Sequence, residues 1–598
     1  MSSFDEMCKD AVKRFIKTVA IIDDDATYGP KLSSKKDKDK PKMVKPPVTS
    51  LMTGKRDADF SMTYEDSKDA RLKENFDDLS MLDATVVINA FADIGIACCI
   101  QRPKNEENPL DRAAKLAASV DVLVIDWALD HENISLPRDI IKKILEDDRN
   151  TGGRMRLIVI YTAQSYVDQM IKDLKKDADT VYDNGLNMDE KRFFIKSDCL
   201  RIVILNKKTT KNPLKEARIV PFDQLPDNVI SEYAELVKGI IPGATLHGIA
   251  TMREKTHELL AILNSNLDGA YCLHRALIPE PSDSVDFAMN LITSEIETII
   301  QTDARARKIV DKQGLKSWFD DYIGDKDKLP YGESSLTAKI IEKIILNGQL
   351  YNKDGADEIQ REYSYNWIQS EIDNGRPLKN IDKNEITLDE AKKYIKQNDW
   401  KRIKGCTPPN KTRFAEALYD SSEKAISGCN ELSHLQCTAR DIGSRLYADN
   451  AKSPTLRLGT ILRKQKEGLS EWFLCLTPLC DCVRLEEESN FLFLQLYSGT
   501  KSSADIIIKN LDGKFEPLIV KNTKLRTLTI PFKPKNGGDR INAKRWKKEW
   551  RIKSKGPSYQ WVGELRYTKA LAIAHQVAAN KSRVGVDDFE WLRHQATL

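Results

Sequence analysis

An α/β fold is predicted for the first 245 residues of this chain: a doubly wound, parallel five-stranded domain. A mainly helical region and a β-rich domain with a terminal helix are expected after it. Three observations lead there. Short apolar runs alternate with helix-period segments up to position 239. Helical spacing then dominates from about 240 to 450. Between 455 and 532 the pattern returns to short apolar runs bounded by turn residues, and the end of the chain is helical again. The 598 residues suggest roughly four domains at ~150 residues each. The expected segments are 1–245, 246–450, 451–556 and 557–598.

The elements follow in order. Phe4, Met7, Val12, Phe15 and Ile16 fall near one face of a short helix over 4–17. TVAIIDDDA is an apolar run closed by acids, as a parallel strand covered on both faces reads. Residues 31–76 break the pattern. KLSSKKDKDKPKMVK holds seven Lys and two Asp in fifteen positions, with PPVTS behind it, so a solvated, disordered insertion is expected. Residues 80–93 have helical spacing, with Gly95 as the C-cap. Strands are expected at 96–100, 121–126 and 156–163, and helices at 111–119, 136–148, 165–176 and 225–239. Two runs compete for the fifth strand, RFFIK (192–196) and LRIVILNK (200–207); the second is longer and more apolar. Further on, EWFLCLTP, CVRLEE, FLFLQLY, ADIIIKN and LRTLTIPF read as strands. RYTKALAIAHQVAANKSRVGVDDFEWLRHQ reads as helix.

Composition narrows the function classes. Lys plus Arg is 94 against 90 Asp plus Glu, a net charge of +4, which by itself does not point to nucleic acid. No apolar run approaches the ~18 residues that span a bilayer, and MSSFDEMCKDAVKRF has no apolar signal core, so a cytoplasmic protein without a membrane partner is expected. The 11 cysteines read as reduced, mostly buried thiols. Cys475, Cys480 and Cys482 cluster, but no second pair completes a zinc set.

The chemistry-bearing residues sit at strand ends. In an open parallel sheet, ligands bind at the carboxyl ends of the strands. Those ends carry Asp23 and Asp24, Asp126, Thr162 and Lys207. Converging carboxylates repel unless a hard divalent cation joins them. A carboxylate beside Mg²⁺ can attack a phosphoryl donor, with a hydroxyl and an ammonium left to hold the phosphoryl oxygens.

In chain order, IIDDD, VLVIDW, VIYTA and VILNK resemble the receiver domain of two-component response regulators. The resemblance implies Asp126 as phosphoacceptor and Asp23, Asp24, Asp126 and the Ala128 carbonyl as Mg²⁺ ligands. It implies Thr162 as the switch hydroxyl and Lys207 as the phosphate-contacting lysine. The sequence departs from that pattern in three places: the 31–76 insertion, Ile204 at the usual aromatic position, and Lys208 where a Pro is usual. RFFIK offers Phe193 and Lys196 at the matching spacing, so Lys196 rivals Lys207. The stretch from LVKGIIPGATLHG to LHRAL is similar to divergent bacterial response-receiver proteins. That likeness implies a histidine-kinase-like or GHKL-type ATPase partner and a role in anti-phage defence.

Other motifs are weaker. His257 in KTHELLAIL resembles a phosphoacceptor box without its Pro, and His274 with Arg275 offers a possible anion contact; both read more simply as helix positions. The stretch 531–555 carries ten Lys/Arg and two acids, with Trp546 and Trp550 interleaved. Lys544, Arg545, Trp546, Lys547 and Lys548 are its candidate nucleic-acid contacts, against a reading in which the tryptophans pack on the body. Three functions therefore stand: a phosphoryl-accepting signalling protein, a receiver-gated hydrolase or nuclease with its active site in 300–598, and a nucleic-acid-binding regulator.

Overall fold

The computed structural model describes residues 3–28, 81–348, 356–375, 421–442 and 453–581, with short gaps inside these ranges and a few single positions between 389 and 419. The expected insertion at 31–76 and residues 582–598 lie outside the described residues. The chain divides into two compact units, 1–324 and 325–598.

The first unit opens with α1 (Phe4–Phe15), closed at its start by a Ser3–Glu6 capping box. β1 (Thr18–Ile22), α2 (Ala84–Asp93), β2 (Ala97–Gln101), α3 (Pro109–Ser119), β3 (Val122–Ile125), α4 (Ser135–Asn150), β4 (Arg156–Thr162) and α5 (Val167–Tyr182) follow. Asp83 caps α2, and Gly95 takes a positive φ of 75° just past its end. After the small strands β5 (Asn187–Asp189) and β6 (Phe194–Lys196) comes β7 (Leu200–Lys207), buried along its whole length. Parallel pairing gives the order β2-β1-β3-β4-β7. The five-stranded parallel sheet is thus present, with β7 as its fifth strand. RFFIK is not a parallel strand: β6 lies antiparallel on the edge of β7, and β5 pairs beyond it. A two-residue strand, β8 (Ile219–Val220), runs parallel beside Asn206 and Lys207.

Period-2 alternation divides the sheet's side chains between two cores. Val19, Ile21, Val122, Val124, Leu157, Val159, Val203 and Leu205 pack under α1, α2 and α6 (Leu225–Leu236). Ile158, Ile160, Ile202 and Ile204 pack under α3, α4 and α5. Strands buried on both faces need near-continuous apolar sequence, which is why they were visible as runs.

The expected boundary at 245 falls inside α7 (Ile240–Glu254). Helices α8 (Thr256–Ile262), α9 (Asp268–Leu277), α10 (Asp283–Gln301), α11 (Ala304–Val310) and α12 (Lys312–Ile323) complete the unit. Arg14 of α1 ties them to the sheet domain. It donates to Glu254 at 2.6 Å, His247 Nδ1 at 3.0 Å, Thr251 at 3.0 Å and Asp303 at 3.3 Å. Glycine lets α7 meet its neighbours closely: a Cβ on Gly243 would lie 3.1 Å from Ile309.

The second unit holds a hairpin of β9 (Lys328–Tyr331) and β10 (Ser334–Thr337), then α13 (Ala338–Asn347). Among the described residues its main body is a ten-stranded sheet. The segment expected to be helical from 557 begins instead with an interior strand, Ser558–Leu565, paired to strands on both sides; the helix is Tyr567–Lys581. CVRLEE forms no strand. Leu479–Cys482 is a 3-10 turn that buries Cys482. The mainly helical middle region is present among the described residues, with the β9–β10 hairpin inside it.

In this unit His434, at the end of the helix Ser422–Cys437, is buried between two acceptors. Nδ1 is 3.1 Å from the Ile507 carbonyl, and Nε2 is 2.9 Å from Asp441 Oδ2. Burial opposes the imidazolium, but the Asp441 carboxylate and the Ile507 carbonyl outweigh it and raise the His434 pKa above 6.5. A raised folded value stabilises fully below the unfolded pKa and is lost as pH climbs through the folded one. The unit's melting temperature, scanned from about pH 6 to pH 9, is expected to fall with rising pH, and His434→Gln to flatten that slope.

Candidate phosphoryl-accepting site

Three side chains that meet at the carboxyl edge of the sheet do so by parity. Asp23 continues the Val19, Ile21 face of β1, Asp126 the Val122, Val124 face of β3, and Lys207 the Val203, Leu205 face of β7. All three therefore project to the side covered by α1, α2 and α6. Asp23 is 1% exposed, Asp126 8% and Lys207 1%. The Lys207 ammonium bridges the two acids, donating to Asp23 Oδ2 at 2.7 Å and Asp126 Oδ2 at 2.6 Å. The second oxygens accept backbone N–H groups: Asp25 N to Asp23 Oδ1 at 2.9 Å, and Trp127 N to Asp126 Oδ1 at 2.6 Å.

Burial opposes the Lys207 charge, yet the facing Asp126 and Asp23 carboxylates outweigh it and hold the lysine pKa above its ordinary value. Burial pushes Asp23 up, and the adjacent Asp126 charge adds to this against the pull of Lys207. Asp24 is buried beside them, and its backbone carbonyl accepts from Arg102 at 3.3 Å. Ala128 is half-buried, two residues past Asp126.

Thr162 is fully buried at the end of β4, on the opposite parity. Its Oγ1 accepts from the Gln164 amide at 3.3 Å. Asn206 Nδ2 donates to the Gln164 carbonyl at 2.8 Å, which joins the end of β7 to the loop after β4. Lys196 lies away from the acids: it ends the short antiparallel strand β6, opposite Arg201 near the start of β7, exposed and 5.9 Å from the Phe194 ring. Ile204 is buried in the core on the far face.

Sequence reasoning missed Tyr161. Its ring lies 6.0 Å from the Lys207 ammonium, and its hydroxyl donates to the Val220 carbonyl at 2.6 Å. Phe222 meets it edge-on at 6.1 Å. Burial raises the phenol pKa, so the hydroxyl keeps its proton as donor. The available signal was one aromatic in the otherwise aliphatic RLIVIYTA, directly before Thr162.

A hard divalent ion suits the oxygen atoms here, three buried carboxylates with no sulfur or imidazole among them. Among the described residues, no group of three or more His, Cys, Asp or Glu side chains is already gathered around an ion-sized space. Asp23, Asp24, Asp126 and the Ala128 carbonyl would have to draw together on binding.

The other candidates lie elsewhere. Lys544, Arg545 and Trp546 form one strand of a hairpin with Glu549–Lys553, and Lys547 sits in its turn at φ 55°. Trp546 is 63% exposed, whereas Trp550 packs on the sheet core. Lys548 lies outside the described residues. Cys475 and Cys482 are buried and Cys480 is exposed. His257 is exposed on α8, and His274 lies 4.5 Å from Phe287. No helix among the described residues is long and apolar enough to cross a membrane.

No curated protein and no solved structure matches the chain. Residues 15–212, from the end of α1 to just past the lysine strand, match the family model of the response receiver domain; the N-terminal α/β domain of this chain is a divergent response receiver domain.

Proposed function

We propose that this domain is a phosphoryl-accepting switch in which Asp126 takes a phosphoryl group from a separate histidine-kinase-like or GHKL-type ATPase, in a bacterial anti-phage setting. The buried Asp23–Lys207–Asp126 bridge carries the reading. An Asp126 carboxylate oxygen attacks phosphorus, the bond from phosphorus to the donor's leaving atom breaks, and that atom keeps the electron pair. Asp23, Asp24, Asp126 and the Ala128 carbonyl would hold Mg²⁺, which supplies positive charge to the transferring phosphoryl oxygens. The Lys207 ammonium is already beside the acceptor and moves with it from carboxylate to phosphoryl oxygen. The Thr162 hydroxyl, at the neighbouring strand end, donates to another phosphoryl oxygen.

Incubation with Mg²⁺ and acetyl phosphate is expected to add one phosphoryl group, read by intact-mass spectrometry, at Asp126. Equal loading of Asp126→Asn would contradict the assignment. Lys207→Ala is expected to shorten the lifetime of the phosphorylated state by more than about tenfold, as loss of a charge contact does, while Lys196→Ala leaves it unchanged. Quantification by gel-shift time courses separates the two lysines.

A further inference from the structure

Helix α10 is the longest of the first unit among the described residues, and of its 19 residues only Ser284 is buried. Yet it is rich in apolar side chains. Val285, Met289, Ile292, Ile296 and Ile299 follow one another at spacings of four, three, four and three. That 3.5-residue period is the seam along which one helix packs on another. Val285 is 51% exposed, Met289 54% and Ile292 38%, and Ile296 and Ile299 are half-buried. The helix is held from other sides. Phe287 packs on His274 of α9, and Ile300 sits where a Cβ on Gly248 of α7 would meet it at 3.1 Å. Leu273 and Leu277 of α9 are exposed as well. Apolar stripes on helices are normally covered, because packing rather than propensity supplies most helix stability in proteins.

The charges on α10 say what covers it. The helix carries Asp283, Asp286, Glu295 and Glu297 and no Lys, Arg or His, in a chain of net charge +4. At 100° per residue, Glu295 falls on one flank of the stripe and Asp286 and Glu297 on the other. A second copy of α10 would bring acid against acid on both flanks, in parallel or antiparallel pairing. A helix with Lys and Arg on its flanks would meet opposite charge on both.

We propose that α10 is a docking seam for an amphipathic helix of a partner protein, apolar at 3.5-residue spacing and basic on both flanks. The seam does not depend on phosphorylation of Asp126, so binding is measured without phosphodonor. The probe is a fluorescein-labelled three-heptad peptide with Leu and Ile in the core positions and Lys on the flanks; its twin carries Glu on the flanks. Anisotropy titration of the full chain is expected to show saturable binding of the Lys peptide and at least about tenfold weaker binding of the Glu twin. The triple variant Val285→Glu, Met289→Glu, Ile292→Glu is expected to weaken the Lys peptide by more than about tenfold while Asp126 still loads with beryllofluoride. The milder pair Glu295→Lys, Glu297→Lys is expected to reverse the preference between the two peptides. Absence of binding, equal affinity for both peptides, or unchanged binding by these variants overturns the proposal. So does a dimer, seen by light scattering, that the triple variant dissociates.

Discussion

Two aspartates buried at neighbouring strand ends require a positive charge between them. Carboxylates that close repel, and burial removes the water that would screen them. Lys207 meets the requirement by hydrogen-bonding both at once. Its position depends on β7 reaching the full depth of the sheet beside β4, with eight consecutive buried residues. A register slip of one residue would turn Lys207 to the opposite face and leave Asp23 and Asp126 facing each other. Topology, strand length and register are all constrained by this one bridge.

The surroundings of the bridge connect it to the rest of the first unit. Tyr161 lies beside the ammonium and reaches Val220 on β8, directly ahead of α6. Asn206 links the lysine strand to the loop after Thr162. On the far side of α6, Arg14 joins α1 to α7 and to Asp303 ahead of α11. A rearrangement at Lys207 thus has a continuous set of packed and hydrogen-bonded groups leading to the helical extension, the part of the chain that carries the exposed seam of α10.

Much of the receiver domain was legible in the sequence because strands buried on both faces must be almost wholly apolar, and their ends carry the polar residues. VLVID and RLIVIYT have no other sensible reading. Choosing Lys207 over Lys196 rested on length and apolarity, the quantities that mark a strand buried along its whole length, as β7 is, against the three-residue β6. Tyr161 stayed hidden because its role is a hydrogen bond to a backbone carbonyl 59 residues away, which no local pattern encodes. The boundary expected at 245 falls inside α7 for a related reason. Helical spacing gives a helix's apolar face but not what it packs against, and the Arg14 contacts to α7 are tertiary. In the second unit, Ser558–Leu565 contains Gly, Gln and Glu as well as aromatics, so its interior position had no clean alternation to announce it.

Asp126 and Lys207 stabilise the fold through each other, beside the Lys207–Asp23 contact. A double-mutant cycle of Asp126→Asn and Lys207→Met tests it most directly, with unfolding of the first unit followed by hydrogen exchange at the β7 amides. Lys207→Met alone is expected to cost about 3–5 kcal/mol, since it strands buried carboxylates without their cation. In the Asp126→Asn background the cost should shrink, giving a coupling energy of about 1–3 kcal/mol. Additivity to within about 0.5 kcal/mol would contradict the account.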